Sequence, residues 1–181
     1  LGKTEVDDDL PTACTDGKNT YYGRKFVDKL NDADLKGLIL HENLHKAFRH
    51  TTVWKHLYKQ DAQLANMACD FVINLMIHDS DPQGQSVTLP EGGCLDEKYR
   101  GMDAGEVFRT LMQEQKQGSG NGKGDGSGEG EQAGGQGFDE HDWEGADALS
   151  EDEKQALARE VDQALRQGAL LAGKLNGNVP R

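Results

Sequence analysis

The chain has 181 residues, a formal net charge of −12, 35% hydrophobic content and 23 glycines. One domain with a real core fits in that length, but a large part of the chain is too polar and too glycine-rich to pack. No cluster of Lys and Arg is present and no apolar run reaches membrane-spanning length, which argues against nucleic-acid and membrane partners. The first ten residues are acidic (Asp7-Asp8-Asp9), carry no leader pattern and read as a solvated lead-in. Two β-prone runs follow, Thr12-Ala13-Cys14-Thr15 and Asn19-Thr20-Tyr21-Tyr22, separated by Asp16-Gly17-Lys18, and this pattern predicts a β-hairpin. The three cysteines, Cys14, Cys69 and Cys94, are scattered without a CxxC pair and read as reduced, mostly buried thiols of a cytoplasmic protein.

Asn31 to Arg49 is compatible with a helix, capped by Asn31 or the acids after it and acidic in its first turn. Inside it lies His41-Glu42-Asn43-Leu44-His45, an HExxH motif. Residues four apart on a helix lie about 40° apart around the axis and one turn apart along it, so both imidazoles reach one ion. Glu42, about 100° from His41, reaches a water on that ion without ligating it. Neutral nitrogen ligands with a carboxylate base beside them are what a zinc hydrolase needs. Mere packing or a structural metal clip is the plainer alternative. Leu35, Leu38, Ile39, Leu40, Leu44, Ala47 and Phe48 offer a wide apolar surface, so the helix is expected to be central, with its histidines at an exposed or cleft-facing edge. The hairpin just ahead of it either covers the core or offers an edge strand to an extended substrate, as in zincin-type proteases.

His50 to Tyr58 reads as a polar, aromatic connection, and a second strong helix is predicted over Asp61 to Ile77. Its apolar residues, among them Ala65, Ala68, Phe71, Val72 and Leu75, leave one polar stripe of Asn66, Asp70, Asn74 and His78. That stripe is either the solvent face or, if it faces the metal helix, the source of an oxygen ligand in Asp70, with Asn66 and Asn74 behind it. Val87 to Gly93 reads as a short extended piece and a turn, and Asp103-Ala104-Gly105-Glu106 resembles a capping box opening a short helix. Residues 117–137 are about half glycine and are expected to be a flexible linker. Asn121 to Asp125 does not make a calcium loop, since Lys123 stands at a ligand position and Gln132 where a bidentate Glu is needed. Phe138 to Trp143 is expected to dock back, and the Ser150-Glu151-Asp152-Glu153 box starts a last amphipathic helix toward Leu171. The expected organisation is a domain over 1–116, the linker over 117–137, and a C-terminal helical segment over 138–181 packed on the core. The fold class is α+β and mainly helical, with a small hairpin or sheet.

Several of these residues resemble a zincin-like metallopeptidase family of bacteria and phages that is usually fused to a von Willebrand factor A-like domain. The matching residues are Thr15-Asp16-Gly17 with Tyr21-Tyr22, His41-Glu42-x-x-His45 followed by His50, and Asn66-x-Ala68-x-Asp70-x-x-x-Asn74. Leu89-Pro90, Tyr99-x-Gly101 and Glu106-Val107-Phe108 extend the match. HExxH alone is shared by unrelated hydrolases; together with the Asn/Ala/Asp/Asn helix it is far more specific. The resemblance implies a zincin-like fold and metal-dependent peptidase activity. The A-like domain and an N-terminal helix of that family are not in these residues, so a longer natural protein is expected.

A zinc site needs a third protein ligand. His50 is nine positions after His41, about 180° around a continuing helix, and no glycine ends that helix early, so it is expected to sit behind the site or at the surface. Asp70 lies 25 positions past His45 on a separate helix, the layout of gluzincin-like sites, and matches the family's acidic position. It is taken as the third ligand to Zn2+, with His78, His56 and His141 as the remaining candidates. Glu42 is the expected general base, and Tyr58, His56 or His141 the candidate donor to an oxyanion. The substrate on this reading is a protein or peptide. The alternative is a catalytically silent, metal-stabilised interaction module working with an A-like domain and an ATPase partner.

Overall fold

The computed structural model describes residues 2–119, 139–144 and 149–175. Most of the expected linker, with the rejected calcium loop and Phe138, lies outside the described residues. Strand β1 (Thr4–Asp7) is followed by β2 (Ala13–Thr15) and β3 (Thr20–Gly23), then by the short α1 (Arg24–Val27) and the long α2 (Asp32–Ala47). Two one-turn helices, α3 (His50–Val53) and α4 (Lys55–Tyr58), lead into α5 (Ala62–Ser80). A 3-10 turn at Glu97–Tyr99 precedes α6 (Ala104–Ser119), and β4 (Asp139–His141) and α7 (Glu151–Leu175) complete the described elements. The described chain is mainly helical with one small sheet. None of its helices is long and apolar enough to cross a membrane.

The hairpin forms as the residues around Asp16-Gly17 require. Ala13, Cys14 and Thr15 pair antiparallel with Tyr22, Tyr21 and Thr20. Asp16 Oδ1 accepts from the backbone N–H of Lys18 (2.7 Å) and Asn19 (2.6 Å), and Gly17 takes a φ of 88° that a side chain would disfavour. The strand order is β1-β3-β2-β4, so neither hairpin strand is an edge. β1 pairs parallel to β3 and β4 pairs parallel to β2. The alternative of an open edge strand is thereby excluded among the described residues, and the lead-in is solvated as expected but contains a strand. All four β1 residues are exposed and hold their place by backbone pairing, which leaves no hydrophobic alternation in the sequence to announce them.

Asn31 caps α2, its side chain accepting from the N–H of Ala33 and Asp34, and Asp61 caps α5 by accepting from Leu64 N–H. Both later capping boxes form: Glu106 N–H donates to Asp103 Oδ1 (2.8 Å), and Glu153 N–H to Ser150 Oγ (3.3 Å). The helix after Asp103 is long rather than short, and it carries Gln117 to Ser119, where the linker was expected to begin. The largest apolar cluster lies between α5 and α6, with Leu64, Ala65, Ala68, Phe71 and Leu75 against Tyr99, Val107, Phe108 and Leu111. A smaller one, Ala13, Tyr22 and Leu38, joins the sheet to α2.

Gly37 is the point where α2 touches the following loop. A Cβ there would sit 1.8 Å from Thr88 O, and Thr88 is tied to the helix by its N–H to Ala33 O (3.2 Å) and its hydroxyl to Asp34 Oδ1 (2.5 Å). Helix propensity alone would make Gly37→Ala stabilising by about 1 kcal/mol. The contact reverses the sign, so the variant is expected to lose about 1–3 kcal/mol, read as a lowered melting temperature by circular dichroism. An unchanged or raised melting temperature would show that the loop yields to the helix.

Candidate metal centre

The inner face of α2 is polar. Gly37, Leu38, His41, Glu42, His45 and Lys46 are its buried residues, while Ile39 and Phe48, expected to be part of an apolar surface, are exposed. The histidines are therefore not at an exposed edge: His41 and Glu42 are 0% exposed and His45 is 1% exposed. Pairs four apart put His41 above His45 and Glu42 above Lys46, so one turn of spacing brings four polar groups to one side. Burial of such a face costs several kcal/mol unless its groups find partners, and α5, α3 and the sheet supply them to His41, His45 and Lys46.

Asp70, 1% exposed on α5, meets both histidines. Its Oδ1 lies 3.4 Å from His45 Nε2 and 3.8 Å from His41 Nε2, and the two Nε2 atoms are 3.0 Å apart. Ligand atoms around a tetrahedral ion with zinc-like bond lengths are separated by about 3.3–3.4 Å. The donor set thus fits one divalent ion, and His41, His45 and Asp70 are the cluster of potential metal-ligating side chains among the described residues. Asp70 and Asn74 of the α5 stripe face α2 rather than solvent, while Asn66 and His78 do not meet the histidines.

The other ring nitrogens are held from behind. His41 Nδ1 is 2.8 Å from Asn74 Oδ1, while Asn74 Nδ2 donates to Cys94 O at 2.9 Å. That second bond turns the amide oxygen toward His41, assigns the Nδ1–H tautomer and aims the Nε2 lone pair at Asp70. His45 Nδ1 lies 3.1 Å from His50 Nδ1 in the same way. His50 reaches this place because Arg49 adopts a left-handed conformation (φ 55°) without being glycine, which breaks the helix and swings the next residue back. The premise of a continuing helix is corrected, and His50 is found 3% exposed against His45 and stacked on Phe48.

Two groups near Glu42 were missed. Lys46, 3% exposed, donates to Thr20 Oγ1 at 2.8 Å. Burial lowers its pKa, and the carboxylates of Glu42 and Asp16 oppose that shift. Tyr22 on β3 has its pKa raised by burial and then by the Glu42 carboxylate, so its phenol stays protonated. The i+4 spacing of Lys46 from Glu42 was the available signal; for Tyr22 only strand pairing places it. The remaining candidates lie elsewhere. Asn66 accepts from the Trp143 indole N–H (2.6 Å), Tyr58 stacks on Trp143 with centroids 4.9 Å apart, and exposed His56 leans on Trp54. His78 lines a surface cleft with Asp81 and Leu95. His141 pairs through its backbone with Thr15, and its side chain lies outside the described residues.

Residues 2–181 match a family described as a putative metallopeptidase domain. The chain belongs to that family. No curated protein and no solved structure matches it. On the helix pair α2 and α5 the chain carries a buried His-His-Asp group that could hold a metal ion, in keeping with that description. None of the three cysteines is in a disulfide; Cys69 and Cys94 are buried, Cys14 is half-buried, and none belongs to the His-His-Asp group.

Proposed function

We propose that this domain is a zinc-dependent peptidase of zincin type, acting on protein or peptide substrates. The observation that carries the reading is the convergence of His41, His45 and Asp70 on one point with Glu42 buried beside them. Two neutral imidazoles and one carboxylate are a set that suits zinc and leaves a coordination position for chemistry. A zinc ion held there supplies Lewis acidity, lowering the pKa of water and polarising the peptide carbonyl. Glu42 accepts the proton of the attacking water and passes it to the leaving amine. Lys46, one turn along α2, sets a positive charge against the Glu42 carboxylate in a site with little solvent. The Tyr22 phenol, kept protonated, is the donor we assign to the developing oxyanion in place of Tyr58, His56 or His141.

The purified protein is expected to hold about one zinc per chain and to melt at a lower temperature after chelation, because an ion that binds only the folded state stabilises it by mass action. Elemental analysis and thermal scans read both, and His41→Ala should bring the metal content well below stoichiometric. Zinc retained in full by His41→Ala would remove the ligand assignment and the reading with it.

A further inference from the structure

The metal cluster is sealed. With His41, Glu42, His45 and Asp70 all at 0–1% exposure, no peptide bond reaches them in the described conformation, so some element has to move before the site can work.

One segment occupies a sheet edge of the kind to which an extended peptide adds. β4 occupies the outer edge of β2, with Asp139, Glu140 and His141 opposite Ala13, Cys14 and Thr15, and Asp142 N–H continues the ladder to Thr15 O at 3.0 Å. The chain then leaves the sheet for α5. Trp143, 2% exposed, donates to Asn66 Oδ1, stacks on Tyr58 and packs with Cys69 and Ala104. Asn66 is one turn from Asp70 on the same stripe, and Cys69 is its direct neighbour in sequence. Both β2 and α5 contact α2. Residues 139–143 therefore run from the outer edge of β2 to the helix that carries Asp70, the two elements that flank α2.

The hold of this strap is local. It pairs over three residues, and Trp143 packs beyond them against α5 and α6. The 19 residues between α6 and it, 120–138, include nine glycines and, apart from Phe138, no apolar side chain larger than that of Ala133. Behind it, α7 rests on α2 through its first half, with Leu157 and Val161 buried and Arg49 paired to Asp162, while Leu165, Leu170 and Leu171 are exposed. A three-residue parallel ladder at a sheet edge is the kind of contact that opens without global unfolding.

We propose that residues 139–143 are an autoinhibitory strap, an internal strand that fills the β2 edge beside the metal cluster and is displaced by an extended peptide. The strap rests on the peptidase reading for its purpose but not for its test. Backbone pairing on β2 is then exchanged rather than lost when the peptide enters, so the cost of opening is mainly the release of Trp143. The incoming strand gains access to Glu42 only when the strap leaves, which couples substrate binding to exposure of the site.

The test is the rate at which diethyl pyrocarbonate modifies His41 and His45 in the full-length, metal-free protein, mapped by mass spectrometry with exposed His56 as the internal reference. Glu140→Cys places a thiol opposite Cys14, so oxidation ties the strap to β2 and reduction releases it. Oxidised Glu140→Cys is expected to label at His41 and His45 about tenfold more slowly than the same protein reduced, and Trp143→Ala about tenfold faster than wild type. Equal rates in the oxidised and reduced forms would overturn the proposal, even where Trp143→Ala is too unstable to be read. Because labelling needs neither metal nor turnover, a strap that responds as expected in a protein that hydrolyses no peptide stands while the peptidase reading falls.

Discussion

Glu42→Gln is expected to keep the zinc and the fold of wild type while peptide hydrolysis falls by about two to four orders of magnitude. The amide has the shape of the carboxylate but cannot take a proton, so only the base is removed. The fold should survive the change, because Glu42 is fully buried and a neutral amide costs less to desolvate than a carboxylate. Metal content should survive because His41, His45 and Asp70 are untouched, their ligand atoms lying 3.0–3.8 Å apart without help from Glu42. The comparison is best made with unfolded protein substrates, whose extended segments can pair with β2, and with the strap-releasing Trp143→Ala background beside wild type. Wild type and Glu42→Gln that are equally active, or equally inert in both backgrounds, would hand the site to a metal-stabilised interaction module.

Asp70→Asn separates the ligand from the base. A carboxylate is a far better zinc ligand than an amide, so this variant is expected to lose most of its zinc, measured by competition with a chromogenic chelator, and to lose hydrolysis as a consequence. Two milder variants calibrate the effect. Asn74→Ala frees the far nitrogen of His41 from its fixed tautomer and His50→Ala does the same for His45, and each is expected to weaken zinc by about 10–100-fold. Added zinc should restore activity to these two and not to Glu42→Gln. An Asp70→Asn protein that binds zinc as tightly as wild type would show that the third ligand comes from elsewhere.

Much of the site was written locally. HExxH states its own geometry, because helical spacing alone puts His41 and His45 on one side and Glu42 beside them. The caps at Asn31, Asp103 and Ser150 and the Asp16-Gly17 turn were equally legible, since each is a bond between neighbours in sequence. Asp70 was taken as the third ligand with the help of the family resemblance, because a polar stripe on a helix has the same period whether it faces water or a partner helix. Only the packing of α5 against α2 decided that, and with it the posts of Asn74 and His50 behind the two imidazoles. The left-handed turn at Arg49 could not be read at all, for a non-glycine residue takes that conformation only where surrounding structure holds it there. Nor could the sheet order. β1 and β4 are short, polar strands without hydrophobic alternation, and they join the hairpin through backbone hydrogen bonds that every residue type can make. The motif thus determined which atoms can hold a metal, and the tertiary structure alone determined that they are buried, because burial depends on which distant segments come to lie over α2.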